Sequence, residues 1–331
     1  MIYVGANIIM NYIVLDLEWN QCPTGKEKEN SKMPFEIIEI GGVMLNENLE
    51  QISTFNETIC PKVYRYLHFK IKEISKITMT ELKGSDDFKT VVNRFLDWCG
   101  TDFQYCTWGP LDLMELQRNM QFHKVKRRLG NPLIFLDIQK LFNLDMRDEK
   151  QIMSSLAHAV ERLNIEVAEP FHRALNDALY TCEVMRTMNL NSVKDYYSID
   201  CYYVPRNKSE EIYARFPTYS KFISRKFSSK EKALMDTNIT TIKCSECDIP
   251  VDIKIPWFSD NAKVYYGLGY CKTHGYVRCK LKMKKNINGQ VYVVKITKHT
   301  NEEGVEILEE RQDVIRARRK EKRYRHSEKN E

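Results

Sequence analysis

Apolar and polar positions follow two rhythms along the first 190 residues. Residues 11–16 (NYIVLD) form a short apolar run with β-branched members, which predicts a buried strand. Residues 35–46 (FEIIEIGGVMLN) predict a second strand, and 53–60 (STFNETIC), closed by Pro61, a third. The turn residues Asn46, Glu47 and Asn48 between them predict an antiparallel meander. Residues 68–83 and 85–99 read as helices, the second with Phe88, Val91, Val92, Phe95 and Leu96 at helical spacing and Ser85, Asp86 and Asp87 at its start. Residues 104–108 give a fourth strand, broken by Gly109 and Pro110 before a helix over 111–122. A fifth strand over 132–138 and helices over 153–163 and 173–189 follow. The expectation is an α/β domain over residues 10–190, with a mixed five-stranded sheet flanked by helices.

The rhythm then fades. Residues 191–235 hold prolines, tyrosines and many basic residues without deep apolar periodicity, and read as a basic linker with short helices. Residues 236–300 are strand-like and rich in cysteine, and 301–331 form a basic tail, helical or disordered. Charge sharpens this division. Residues 1–190 hold 22 Lys and Arg against 26 Asp and Glu, whereas 191–331 hold 29 against 19. An acidic front with a basic back suggests a metal-binding catalytic module joined to a polyanion-binding one. The sequence offers Met10 as an alternative start to Met1 and shows no secretory leader and no apolar run of membrane-spanning length. Its ten cysteines are too sparse for a disulfide scaffold, so a reducing cytoplasm is expected.

Asp16 and Glu18 stand two apart at the end of the first strand, so both side chains share one sheet face. Adjacent acids repel unless a cation lies between them, and a divalent metal is the usual solution. Asp112 follows the fourth strand in GPLD, and FHRALND offers His172 and Asp177 at the opening of the last helix. Five residues apart, that pair fits a histidine on the preceding loop and an acid inside the helix. Helix capping is the plain alternative for Asp112 and His172, and a surface or capping role for Glu36, Glu39, Glu115 and Asp137. Trp108 and Phe171 read as cleft walls or core.

This ordered set resembles the DEDDh exonuclease family, which has the ribonuclease H-like fold. The carrying motifs are VLDLEWN, TWGPLDLMEL and HRALNDALYT, supported by ISKITMTEL and SLAHAVERLNIE, over roughly residues 11–189. DLEWN and FEIIEIGGV place the likeness nearest the KapD and eukaryotic-type small-RNA branch. One departure is Ser75–Lys76, where the family often has Leu-Thr-Gly. The resemblance implies 3'→5' removal of 5'-mononucleotides with two Mg²⁺ or Mn²⁺ ions roughly 3.5–4 Å apart. Asp16 would bridge both ions, Glu18 and Asp177 would share one, Asp112 would support the other, and His172 would be the general base. The backbone from Leu17 to Trp19 would grip the terminal 3'-hydroxyl, with Trp19 stacking or wedging.

Cys244-x2-Cys247 and Cys271-x2-His274 are two short-spaced pairs at zinc-site spacing. Strand-like sequence between them predicts a zinc-ribbon-like domain with one structural Zn²⁺, and Cys279 competes with His274 as fourth ligand. Reduced core cysteines are the plain alternative. KVYYGLGY and RCKLKMKK interleave positive charge with tyrosine, as single-strand binding requires. The whole reads as a cytoplasmic exonuclease acting on single-stranded nucleic acid, RNA ahead of DNA. A DNA proofreading or repair exonuclease, or a binding adaptor with an idle nuclease fold, are the competing readings.

Overall fold

Two units divide the chain, Ala6–Tyr202 and Met1–Gly5 with Tyr203–Glu331. A computed structural model of the protein describes residues 2–3, 11–146, 154–259, 261–286 and 289–327. Strand β1 (Ile2–Tyr3) belongs to the second unit and is taken up there.

The first unit is built on β2 (Asn11–Asn20), β3 (Glu36–Asn46) and β4 (Gln51–Thr58), an antiparallel meander as expected. β5 (Phe103–Thr107) and β6 (Ile134–Asp137) extend the sheet in parallel beside β2, giving the five expected strands. A sixth, β7 (Ser198–Ile199), pairs antiparallel with β6, so the order is β4-β3-β2-β5-β6-β7. The nuclease-like α/β layering of the sequence reading is therefore present, with one short strand added.

Where one helix is expected over 68–83, α1 (Phe69–Ser75) and α2 (Met79–Lys83) stand instead. Lys76 breaks them apart in the left-handed region at φ 56°, and Thr78 caps α2 by accepting from the Glu81 N–H. α3 (Phe88–Cys99) starts from Asp87, which accepts from the Thr90 N–H, and α4 (Leu111–Phe122) matches its expected span. α5 (Ile138–Asp145), α6 (Leu156–Arg162), α7 (Ala174–Thr187) and α8 (Leu190–Val193) complete the unit. Position 153, the expected start of the helix over 153–163, lies outside the described residues.

Odd positions of β2 (Ile13, Leu15, Leu17) bury with α3 and α4 residues such as Phe95 and Leu116. Val14 looks the other way, into a core with Phe142 of α5 and Ala178 and Val184 of α7. Asp16 and Glu18, in phase with Val14, therefore emerge on the α7 face. That helix sits very close to the sheet, since a Cβ at Gly41 of β3 would lie 2.1 Å from the Ala174 carbonyl carbon.

The second unit carries β8 (Ile212–Arg215), β9 (Ser220–Ile223), α9 (Lys230–Leu234) and α10 (Thr237–Thr240). β10 (Asp252–Ser259), β11 (Val264–Cys271), β12 (Gly275–Lys285) and β13 (Val291–His299) follow, and α11 (Glu302–Ser327) ends the description. The seven strands form one sheet, β1-β8-β9-β13-β12-β11-β10, antiparallel except for the β1–β8 pair.

Besides short helices, α8 and α9, residues 191–235 hold the strands β7, β8 and β9, so the segment is part of the folded units rather than a linker between them. Strands of two to four residues are shorter than any window in which periodicity shows, which is why the segment read as irregular. The first unit also runs past 190 to Tyr202, because Asp200 accepts from the Gln117 side chain at 2.7 Å and Tyr202 bonds Gln121 at 2.6 Å. The expected 236–300 ribbon is part of a larger sheet, in which Ile2–Tyr3 pairs with β8.

Candidate active site and metal centre

Three elements converge on one cleft of the first unit. β2 supplies Asp16 and Glu18, the first turn of α4 supplies Asp112, and the first turn of α7 supplies Asp177. Asp112 and Asp177 are buried, each beyond nine-tenths. Asp112 Oδ1 accepts from the Leu17 backbone N–H at 3.2 Å, which ties α4 to β2 between the two β2 acids. Asp177 Oδ2 accepts from the His172 N–H at 2.8 Å. His172 precedes α7 in the left-handed region at φ 69° and is exposed, so its ring stands at the cleft edge. The ligating atoms of Glu18, His172 and Asp177 all lie within 4.8 Å of one another.

Crowded, buried carboxylates resist ionisation. Burial, then Asp112, Asp177, Glu18 and Glu39 beside it, hold Asp16 well above the usual carboxylate range. Burial and the facing Asp177 push Glu18 up to about 8. Asp112 is pushed up to about 7, chiefly by burial, although the Leu17 N–H opposes the shift. Asp177 is pushed up to about 6 by burial, against the His172 N–H bond. Such a set of hard oxygen donors is what divalent Mg²⁺ or Mn²⁺ requires, and a cation would remove the repulsion that burial amplifies.

Behind the cleft, Glu39 is paired with Glu18 across the β2–β3 register and is 1% exposed. It accepts from Arg173 Nε and Nη2 at 3.0 and 2.7 Å and from the Ala174 N–H at 3.0 Å, fixing the residues that follow His172. Arg173 also reaches Glu81 of α2 at 3.2 Å. Sequence reasoning gave Glu39 no part here; the signal available was the meander itself, which sets one strand's acid against its neighbour's. Glu36, Glu115 and Asp137 are likewise buried. Glu36 accepts from three backbone N–H groups (Lys62, Val63, Tyr64), Glu115 pairs with Arg118 at 3.2 Å, and Asp137 caps α5.

Leu17 points its side chain into the core, and its N–H is taken by Asp112. Trp19 is half-buried against Phe35, ring centroids 5.7 Å apart, just past a bulge between Glu18 and Trp19. Trp108 packs on Phe142 and Phe171 on Tyr180, as cleft wall or core.

In the second unit Cys244, Cys247, Cys271 and His274 bring their ligating atoms within 4.8 Å of one another. Cys247 and Cys271 Sγ are 3.8 Å apart, and His274 Nδ1 lies 3.5 and 3.6 Å from Cys244 and Cys271. Tetrahedral zinc with Zn–S about 2.3 Å and Zn–N about 2.0–2.1 Å needs donor separations of about 3.8 and 3.5 Å, so these four can hold a zinc ion. Cys279 does not join them: it is fully buried and its thiol faces Thr297 Oγ1 at 3.3 Å. His299, which sequence reasoning passed over, does border the cluster, its Nε2 3.6 Å from Cys244 Sγ. It sits one strand away, opposite Val277, and only the β12–β13 register brings it there.

Among described residues no helix is long and apolar enough to cross a membrane. An exonuclease family model, RNase_T, matches residues 13–185. Three solved structures resemble the chain at low identity. The nuclease domain of 3'hExo, a DEDDh family member bound to rAMP, is 20% identical, with 59% of this chain and 98% of that chain covered and a TM-score of 0.48. A full-length 3'-exonuclease is 21% identical over 56% of this chain and 84% of that chain, at 0.47. Cell-death related nuclease 4 is 16% identical over 58% and 67%, at 0.49. No curated protein matches the chain.

Proposed function

The chain belongs to the RNase T exonuclease family, and on that premise we propose that it hydrolyses single-stranded nucleic acid from the 3' end, releasing 5'-mononucleotides. The observation that carries this reading is the convergence of Asp16, Glu18, Asp112 and Asp177 from three elements, with His172 bonded through its N–H to Asp177. When bound, two Mg²⁺ or Mn²⁺ ions held by these four acids would neutralise the scissile phosphate and activate water.

The chain's own groups do the rest. His172, exposed at the cleft edge, accepts the proton of the attacking water. The Glu39–Arg173 pair and the Asp177 bond hold the backbone on either side of that histidine. The bulge at Glu18 and Trp19 presents backbone and an indole to the terminal nucleotide. RNA stands ahead of DNA because DLEWN and FEIIEIGGV resemble the RNA-directed branch. In the second unit Cys244, Cys247, Cys271 and His274 would hold one structural zinc, and four protein ligands would leave no open position for chemistry.

Digestion of 5'-labelled single-stranded RNA and DNA with Mg²⁺ or Mn²⁺ tests the reading, beside Asp16→Ala and His172→Ala proteins. The expected result is a ladder of 3'-shortened products, stronger on RNA and lost in both variants. An intact polymer with metal-loaded wild type would overturn it in favour of an idle fold.

A further inference from the structure

Strand β12 alternates regularly. Val277, Cys279, Leu281 and Met283 are buried, so Tyr276, Arg278, Lys280, Lys282 and Lys284 emerge on the opposite face. Register sets Lys298 of β13 beside Arg278, Tyr266 of β11 beside Lys280, and Tyr270 beside Tyr276. Helix α11 lies on the adjoining part of that face, its Leu308 and Ile315 packed with Ile255, Phe258 and Leu268. Arg311, one turn past Leu308, thereby reaches Tyr266, its guanidinium carbon 4.8 Å from the ring centroid, while Lys280 Nζ lies 5.4 Å from the same centroid.

The cations here also act on one another. After burial itself, Arg311 and Arg278 hold Lys280 below the usual lysine range, and Lys280 and Lys284 do the same to Lys282. Lys298 is held down by burial and Arg278. Among the described residues none of the six joins an ion pair. Like charges side by side on a sheet are unfavourable, and a polyanion arriving from outside would reverse the sign of that interaction. The half-exposed rings of Tyr270 and Tyr276, paired edge to face at 5.1 Å, border the stripe. Cations in a row beside half-exposed rings suit phosphates and unpaired bases together, whereas an acidic protein would use only the charge.

We propose that this face of the second unit, from Tyr270 and Tyr276 along Arg278, Lys280, Lys282 and Lys284, is a binding surface for single-stranded nucleic acid distinct from the carboxylate cleft. It rests on the nuclease reading only for the identity of the polymer.

The test uses the full chain. A Lys280→Gln, Lys282→Gln, Lys284→Gln protein, carrying Asp16→Asn to prevent cleavage, is titrated with a labelled 30-nucleotide RNA. Its affinity should fall at least about tenfold, and the slope of log K against log salt should shrink by roughly 2, at about 0.7 per lost phosphate contact. The matching Lys→Arg triple should bind like wild type. Unchanged affinity and slope in the Gln triple would overturn the proposal and favour an acidic protein partner; so would an equal loss in the Arg triple, which would mean packing rather than charge. Photo-crosslinking of 4-thiouridine RNA to the wild-type sequence needs no variant: adducts within 264–285 support the proposal, and adducts confined to 11–202 overturn it. Wild type that crosslinks within 264–285 but cleaves nothing would sink the nuclease reading and leave this surface standing; wild type that cleaves but crosslinks only within 11–202 would do the reverse.

Discussion

Set side by side, the carboxylate cleft and the cysteine–histidine cluster differ first in how far along the chain their members lie. The cleft draws residues 16 to 177 from β2, α4 and α7, which are fixed by the two cores on either face of the sheet. The cluster spans only 244 to 274, on two tight turns beside a small apolar group. The cleft's donors repel one another and are held together by packing; the cluster's donors already stand at the separations one ion would impose. A cation would relieve the repulsion among the cleft's acids, whereas the cluster's donors already match the spacing that a single zinc ion would need.

The largest test of that contrast is Cys247→Ser. Structural zinc binding supplies on the order of 10 kcal/mol, so zinc content should drop from about one per chain to none, and the second unit should lose protease resistance while the first keeps its own. Equal losses in both units would break the comparison. Next, Asp16→Asn should lower hydrolysis by on the order of 10³-fold, a few kcal/mol of transition-state stabilisation, yet raise the melting temperature of metal-free protein by relieving repulsion. Glu39→Gln follows: breaking this half-buried ion pair costs about 1–3 kcal/mol, readable as a lower denaturant midpoint.

The pH dependence is smaller and its sign is fixed. The folded-state pKa values of Glu18, Asp112 and Asp177, about 8, 7 and 6, lie above the ordinary value near 4. The native state therefore holds extra protons between pH 4 and 8, so the stability they contribute is fully present below about pH 4 and is lost progressively as pH rises to about 8. Metal-free protein should melt roughly 5 °C lower at pH 8 than at pH 5, and millimolar Mn²⁺ should erase most of the difference. A melting temperature that rises with pH in the absence of metal would contradict it. The smallest effect is Lys76→Gly, which relieves a left-handed residue and should add about 0.5–1 kcal/mol of stability, seen as a slight rise in melting temperature.

The meander, α4 and the motif acids were legible because each rests on local patterning or on residue types that chemistry demands. Asp16 and Glu18 share a face by strand period alone, and helix α4 runs where its apolar spacing says. Glu39 was misplaced because its burial follows from long-range register and from Arg173, 134 positions away. His299 escaped for the same reason, joined to the cysteines by strand pairing rather than spacing. The strands within 191–235 escaped because a hairpin of four-residue strands carries too few positions to show a period. Cys279 stood on spacing as the alternative to His274; the alternation of β12 turns it toward the core.

Gly41 works as a gauge block. With its Cβ position 2.1 Å from the Ala174 carbonyl carbon, the missing methyl sets how near α7 stands to β3. Any side chain there would act as a shim, driving the helix outward by an ångström or more and carrying Asp177 and His172 away from Glu18. The width of the cleft is therefore written at a position that touches no ligand, and the opening can be regulated by one atom's worth of volume without altering a single charge.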